Sequence, residues 1–142
     1  MKKISIIMIL GLILAVIGIS GCTSSTSNQN YTGSKMSFTY PSSYSVNQNT
    51  SSDSIVALEK GNQEITVNII DDTLNNENFN ILADGWTYKG LYNTSGVNYK
   101  VFTMSGNDIP TVYLFKKNGK VFELTGHTMD VDAMDQITQT IK

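Results

Sequence analysis

Apolar side chains follow three different patterns along this chain of 142 residues. Residues 4–19 are almost continuously apolar and carry no charge, whereas residues 23–34 consist almost entirely of Ser, Thr, Asn, Gln and Gly. From Lys35 onward, apolar and polar residues recur at the periods typical of strands and helices. The chain therefore divides into a leader, a polar segment and one domain of about a hundred residues.

Alternation at period two predicts the first strands of the domain. Residues 36–40 alternate between apolar and polar side chains, and Pro41 ends that strand. Residues 53–60 and 63–70 form two further runs of strand character, separated by a Gly-Asn pair. A short link that contains glycine between two such runs predicts a β-hairpin.

The pattern then changes to the helical period. Four apolar residues at spacing i, i+3, i+4 and i+7 predict one helical face, namely Phe79, Leu82, Ala83 and Trp86. Asn75 or Asn76 is the predicted N-cap. Gly90 is the predicted end of the helix.

Three more strands and a closing helix complete the predicted domain. Residues 97–104, 111–116 and 120–125 have strand character, and the last two flank an Asn-Gly pair, which is the strongest short-range hairpin signal. Residues 131–142 return to helical spacing. Because hairpins dominate the order of elements, we predict an α+β fold in which helices pack on a largely antiparallel sheet.

The start of the domain resembles that of a known family. The run Phe38-Thr39-Tyr40-Pro41-Ser42-Ser43-Tyr44 is similar to the opening of PsbP-like domains, in which two aromatic residues and a proline precede a third aromatic residue. The resemblance covers residues 35–142 and implies a PsbP-like fold. Its best-known members are extrinsic, stabilising subunits of photosystem II, and small prokaryotic lipoproteins also carry such domains. Because the family spans unrelated functions, the resemblance implies no specific role.

The leader has the layout of an export signal. Lys2 and Lys3 precede the apolar run, and small residues follow it up to Cys22. The apolar run has 16 residues, fewer than the ~20 that a helix needs to span hydrocarbon. We therefore predict a cleaved signal peptide over residues 1–21.

Cys22 is the only cysteine, so an internal disulfide is excluded. Its position after Ile-Ser-Gly resembles the lipobox of lipoproteins, in which cleavage between Gly21 and Cys22 would leave a lipid-modified cysteine as the new N-terminus. The resemblance implies a lipid anchor on the outer face of the cytoplasmic membrane. The polar composition of residues 22–34 predicts a flexible tether. Ordinary cleavage with an incidental thiol and an uncleaved anchor are the alternatives.

The charged residues of the chain argue against a nucleic-acid partner. Without the two lysines of the leader, the chain has eight lysines against twelve acidic residues and no arginine. Nucleic-acid recognition relies on arginine forks and clustered positive charge, so we expect no nucleic-acid partner. Lys116, Lys117 and Lys120 flank the predicted turn and are interpreted as solvated. No nucleotide-binding motif occurs, and we expect no cofactor.

Acidic residues near the closing helix are the candidate metal ligands. Asp130, Asp132 and Asp135 lie close in sequence to His127, the only histidine. Oxygen ligands suit hard cations such as calcium, but this run lacks the glycine and the bidentate glutamate of a calcium loop. The alternative interpretation is negative charge that complements the helix dipole. A hydrolase that uses His127 is a further alternative, although no serine is marked as its nucleophile.

Aromatic residues and sequons are the candidate surface features. Trp86, Tyr88 and Tyr92 are the candidate interface residues because aromatic side chains are enriched at binding sites, with core packing as the alternative for Trp86. In an exported chain, Asn-x-Ser/Thr sequons are candidates for glycosylation. They occur at Asn30, Asn49 and Asn93, and chance occurrence in a sequence rich in Asn, Ser and Thr is the alternative.

Together these features predict a lipid-anchored extracytoplasmic accessory protein without catalytic activity. Its expected partners are the membrane, through the lipid on Cys22, and another protein of the cell envelope. A surface module that binds a small ligand or a metal is the first alternative, and a hydrolase that uses His127 is the second.

Overall fold

The computed structural model describes residues 27–106 and 109–142 of the chain. These residues form nine strands, two α-helices and one short 3₁₀ helix. The strands are β1 (Asn28–Thr32), β2 (Ser37–Pro41), β3 (Ser45–Val46), β4 (Ile55–Lys60), β5 (Gln63–Ile70), β6 (Thr87–Thr94), β7 (Val97–Thr103), β8 (Pro110–Lys117) and β9 (Lys120–His127). The helices are α1 (Leu74–Ala83), α2 (Val131–Thr140) and the 3₁₀ helix Thr128–Asp130.

Seven of the strands form one sheet in the order β3-β4-β5-β9-β8-β7-β6. All of its neighbouring strands are antiparallel. β1 and β2 form a separate two-stranded sheet, which is joined to α2 by a hydrogen bond of 2.9 Å from the Thr39 backbone N–H to Thr140 Oγ1. The predicted α+β class, a largely antiparallel sheet with helices packed on it, is confirmed.

Glycine and asparagine turns set the register of the hairpins. Asn118 and Gly119 have φ angles of +51° and +82°, the left-handed values that a tight two-residue hairpin turn requires. The predicted hairpin of β8 and β9 is confirmed, as is the hairpin of β4 and β5, where Gly61 has a φ of +61°.

The sheet separates two hydrophobic cores of unequal size. On one face, α2 buries Met134 and Ile137 in the larger core, as predicted from its helical spacing. On the other face, Ile81 is the only buried residue of α1 and belongs to the smaller core. Leu74 of α1 is partly buried against the same core, whereas α2 buries four residues, so α1 is held less firmly than α2.

The two ends of the sheet carry different features. The end with the β8–β9 turn, called here the upper end, also contains the end of β5, where Ile70 pairs with Val121. The opposite, lower end contains the β4–β5 turn and the start of α2. The described chain enters at the lower end, because the Ser42 N–H donates to the Ser27 carbonyl at 2.9 Å and Tyr44 binds Asp130.

Strand β1 lies within residues 22–34, where the sequence predicts a flexible tether. Asn28–Thr32 pairs along its whole length with β2, and the ring of Tyr31 stacks on Phe38 with centroids 5.2 Å apart. The prediction of a flexible segment is wrong here, because backbone hydrogen bonds and one aromatic contact order a strand of polar composition. The predicted signal peptide, Cys22 and the first part of the tether lie outside the described residues.

The predicted boundaries and apolar face of the first helix are wrong. Thr73 caps α1 through its Oγ1, which accepts from the Asn76 N–H at 3.2 Å. Phe79 is 69% exposed, and Trp86 lies beyond the end of the helix. The apolar spacing that predicts this helix extends to Trp86, whereas the helix ends at Ala83. The residue that faces the sheet is Ile81.

Strand β6 was not predicted. Gly90, the expected end of the helix, lies within this strand beside a register shift between Tyr88 and Gly90 in the pairing with β7. The extra residue of this bulge interrupts the period-two alternation by which a strand is recognised in sequence.

Candidate functional site

Strand β6 forms one edge of the seven-stranded sheet and carries two of the three candidate interface residues. Tyr88 and Tyr92 are 46% and 49% exposed, and Leu91 between them is 62% exposed. An edge strand presents a row of backbone N–H and C=O groups that another strand can pair with. The opposite edge strand, β3, has only two residues, so β6 is the long accessible edge of this sheet.

The candidate aromatic residues lie on opposite faces of the sheet. The ring of Tyr88 is 5.5 Å from Phe102 on the face covered by α1. The ring of Tyr92 stacks on Tyr99 at 6.0 Å on the face covered by α2. The edge is therefore aromatic on both of its sides.

Leu91 and Leu82 extend the apolar surface on the side of α1. Leu91 pairs with Lys100, whose Nζ donates to Asn78 Oδ1 of α1 at 2.9 Å. Leu82 follows Asn78 by one helical turn, so it lies on the same flank of the helix, and it is 43% exposed. We call Leu82, Tyr88, Leu91 and Tyr92 the β6 edge surface.

Trp86 takes a different position from the other two candidates. It lies between α1 and β6 and is partly buried against the smaller core. Its indole therefore contributes mainly to packing, the alternative that the sequence left open for this residue.

A cluster of tyrosines lies behind Tyr92 on the face of α2. The rings of Tyr99 and Tyr113 are 4.5 Å apart, and the Tyr99 hydroxyl donates to Asp135 Oδ1 at 3.1 Å. Burial, followed by the charge of Asp135, raises the pKa of Tyr99 to about 12 and moves the pKa of Tyr113 upward as well. Both hydroxyls therefore stay protonated at neutral pH and act as hydrogen-bond donors. A shallow cavity of about 330 Å³ opens beside this cluster, between Lys89 and Val131.

The candidate metal ligands do not come together. Asp130 is buried and accepts hydrogen bonds from the Tyr44 hydroxyl at 2.5 Å and the His127 backbone N–H at 3.0 Å. Asp135 binds a tyrosine, and Asp132 is exposed on α2. Within the described ranges, no three His, Cys, Asp or Glu side chains are grouped so that they could hold a metal ion. Both carboxylate oxygens of Asp130 already accept hydrogen bonds that hold the structure around the start of α2.

His127 ends β9 next to this buried carboxylate. Its backbone N–H is fixed by Asp130, which places the residue at the junction of the sheet and the 3₁₀ helix. The interpretation of His127 as the catalytic residue of a hydrolase stays a prediction.

The three sequons lie in exposed positions. Asn30 is in β1, Asn49 is in the loop between β3 and β4, and Asn93 is in β6. Asn93 Nδ2 donates to Asn98 Oδ1 at 2.7 Å, so a glycan on Asn93 would replace a cross-strand hydrogen bond. Glycosylation of these residues stays a prediction.

Gly21 and Cys22, the predicted cleavage and lipidation residues, lie outside the described residues. In the part of the chain that is described, neither α1 nor α2 has the length and apolar character needed to cross a bilayer.

One partly buried carboxyl group gave no signal in the sequence. Glu123 of β9 lies beneath α1, where burial and then the nearby Glu77 raise its pKa, while a hydrogen bond from Asn68 acts in the opposite direction. Two carboxyl groups in such proximity favour a state in which one of them keeps its proton. Only the three-dimensional packing of α1 on β9 brings the two residues together.

A larger cleft, of about 670 Å³, lies at the upper end of the sheet. Lys116 and Lys120 line it together with Lys35, although their position beside a turn predicts solvated side chains. Lys117 points elsewhere and caps α2, because its Nζ donates to the Thr138 and Gln139 carbonyls at 3.2 and 2.9 Å. Sequence reasoning missed this cleft because its lysines come from distant parts of the chain.

Comparison with known proteins identifies a structural neighbour. No protein-family model and no curated protein matches the chain. The solution structure of cyanobacterial PsbP (CyanoP) from Synechocystis sp. PCC 6803 is similar, with a TM-score of 0.50 and 14% sequence identity over 89% of this chain and 98% of that one. At this identity the likeness establishes the fold alone. The chain has a PsbP-like α+β fold.

Proposed function

We propose that this chain is a lipid-anchored extracytoplasmic accessory protein without catalytic activity, which binds an extended segment of another envelope protein along β6. The observation that carries the proposal is the β6 edge surface, where three of eight strand residues are large, apolar and about half exposed or more. A folded domain gains by burying such side chains, and their clustering on one accessible edge is typical of an interaction site.

The edge offers both affinity and specificity to an added strand. Main-chain hydrogen bonds to β6 would supply the affinity, and alternate side chains of the added strand would contact Leu91 on one face and Tyr92 on the other. Lys89 is the only charged residue of β6, so the partner segment should carry an acidic residue opposite or beside it.

The proposed anchor would hold the domain close to the membrane. Five residues connect Cys22 to the start of β1, and a fully extended chain of that length spans at most about 18 Å. The ordered strand β1 thus shortens the tether that the sequence predicted. A short tether raises the local concentration of the domain near membrane-bound partners.

A pull-down after cross-linking in intact cells tests the proposal. The tagged wild-type chain is compared with Leu91→Asn and Tyr92→Asn, and with Met129→Gln as a matched control. Met129 is 66% exposed, and its Sδ accepts a hydrogen bond from Gln63 Nε2 of β5, which lies four strands away from β6 in the sheet. We expect one defined envelope protein to be recovered with the wild type and the control, and lost with both β6 variants.

Cys22→Ser separates the anchor from the binding surface. If the anchor acts through proximity, this variant loses the partner in cells but still binds it when both proteins are purified. Equal recovery of the same protein by wild type and β6 variants would refute the role of β6.

A further inference from the structure

Three lysines from separate parts of the chain converge at the upper end of the sheet. Lys35 lies in the β1–β2 turn, Lys116 lies near the end of β8, and Lys120 begins β9. Lys120 Nζ donates to the backbone carbonyl of Lys35, and Lys35 Nζ donates to Ser54 Oγ at 3.1 Å. These hydrogen bonds hold two ammonium groups at the cleft, where long lysine side chains would otherwise extend into solvent.

The cleft combines this positive charge with an apolar wall. Its volume of about 670 Å³ lies within the usual range of small-molecule sites, about 300–1,000 Å³. Ile69, Ile70, Leu74 and Val121 supply the apolar lining. A ligand that fits must therefore present both an anionic group and an organic body.

The acidic residues of the cleft do not cancel its lysines. Asp71 and Asp72 also line it. Asp72 Oδ1 accepts hydrogen bonds from the Thr73 N–H at 2.6 Å and from Asn76 Nδ2 at 3.0 Å, so this carboxylate is used at the start of α1. Three lysines against two aspartates leave the cleft with an excess of positive charge.

We propose that this cleft binds a small organic phosphate. The phosphate group lies against Lys35, Lys116 and Lys120, and the organic body lies against Ile70 and Val121. Lysine ammonium groups bind phosphate as point charges, and several of them match a doubly charged phosphate monoester better than a singly charged carboxylate. This role goes beyond the proposed protein binding at β6, since it uses a different surface of the domain.

A free phosphate ester fits the geometry better than a headgroup of the anchoring bilayer. The described chain enters at the lower end, whereas the cleft is at the upper end, one β9 strand of eight residues away, which is about 26 Å. If Cys22 carries the proposed anchor, the cleft faces away from the membrane. This orientation, but not the binding itself, rests on the proposed function.

Calorimetric titration of the purified full chain in uncharged detergent micelles tests the proposal. The probe is phenyl phosphate, and phenol tests the apolar wall alone. We expect saturable binding of phenyl phosphate that weakens as salt is added, and no comparable binding of phenol. Soluble dihexanoyl phosphatidic acid carries the same monoester on a lipid, and tighter binding of this compound than of phenyl phosphate would identify a lipid as the source.

Charge-matched variants separate the cleft from net charge. Lys35→Gln, Lys116→Gln and Lys120→Gln should each weaken phenyl phosphate binding about fivefold, and the triple variant should abolish it. The control Lys60→Gln/Lys89→Gln/Lys100→Gln removes the same charge elsewhere and should retain binding within about twofold. Absence of binding to the wild type, equal binding of phenol, or equal loss in both triple variants would overturn the proposal. The titration needs no envelope partner, so its failure is separate from failure of the β6 proposal.

Discussion

The Tyr44 hydroxyl donates a hydrogen bond of 2.5 Å to the buried carboxylate of Asp130, across 86 residues of sequence. The second oxygen of this carboxylate accepts from the His127 backbone N–H at 3.0 Å. Burial, followed by the hydrogen bond and charge of Asp130, raises the pKa of Tyr44 well above its usual range, so the hydroxyl remains a donor. One buried carboxylate therefore joins the loop after β2, the end of β9 and the start of α2.

Removal of the Tyr44 hydroxyl should destabilise the domain. Tyr44→Phe keeps the ring but leaves one oxygen of a buried carboxylate without its donor, which costs about 1–3 kcal/mol. Urea unfolding monitored by circular dichroism measures the change in the free energy of unfolding. Asp132→Asn, on an exposed residue in the first turn of α2, serves as the control and should cost less than about 1 kcal/mol, the usual size of an interaction with the helix dipole. Equal stability of Tyr44→Phe and wild type would contradict the structural role of this contact.

Protonation of Glu123 should make stability depend on pH. The pKa of Glu123 is raised by burial and by Glu77, so the folded protein binds this proton more tightly than the unfolded chain does. Its contribution to stability is therefore fully present below the ordinary pKa of glutamate and is lost as pH rises through the raised value.

Glu123→Gln should remove this pH dependence and stabilise the domain at neutral pH. The amide keeps the hydrogen-bonding shape of the protonated acid but carries no charge beside Glu77. Urea unfolding across the acidic to neutral range provides the measurement, and exposed Glu64→Gln is the control. A variant that keeps the wild-type pH slope would show that another group is responsible.

Lys117 should stabilise the end of α2. Its Nζ donates to two carbonyls of the last turn, so Lys117→Met should cost about 0.5–1 kcal/mol. The neighbouring Lys116→Met removes the same charge without this contact and should be nearly neutral in thermal unfolding. If both variants lose the same stability, the effect is one of net charge.

Strand β1 should be part of the folding unit. Tyr31→Ala removes the ring that stacks on Phe38 and should lower the free energy of unfolding by about 1–2 kcal/mol. A chain that begins at residue 35 should melt at a lower temperature than one that begins at residue 27, because it lacks β1 entirely. Identical melting temperatures of the two fragments would argue that β1 is dispensable.

The sequence predicts those elements whose signals are local. The β8–β9 hairpin rests on an Asn-Gly turn, and α2 rests on one clear apolar face, so both were predicted within a few residues. The α+β class follows from the number of such hairpins. The PsbP-like resemblance, based on residues 38–44 and the order of elements, agrees with the structural likeness to cyanobacterial PsbP.

The remaining features depend on contacts between residues that are far apart in sequence, which no local pattern indicates. Strand β1 is polar and is ordered by pairing, while the bulge in β6 hides its alternation. The edge position of Tyr88 and Tyr92 follows from the order of strands in the sheet, and the lysine cleft joins residues 35 and 120. The sequence indicates Tyr88 and Tyr92 as candidate interface residues, but it does not indicate that they lie on opposite faces of the sheet.

Photo-cross-linking from β6 in intact cells is the sharpest test of partner binding at this edge. A photoreactive phenylalanine analogue replaces Leu91, Tyr92 or, as the control, Met129, and the products are identified by mass spectrometry. We predict that the probes at positions 91 and 92 capture the same envelope protein, through the same extended segment, and that the probe at position 129 does not. Capture of that protein equally from position 129, or no discrete product from β6, would contradict the assignment of this edge as the binding surface.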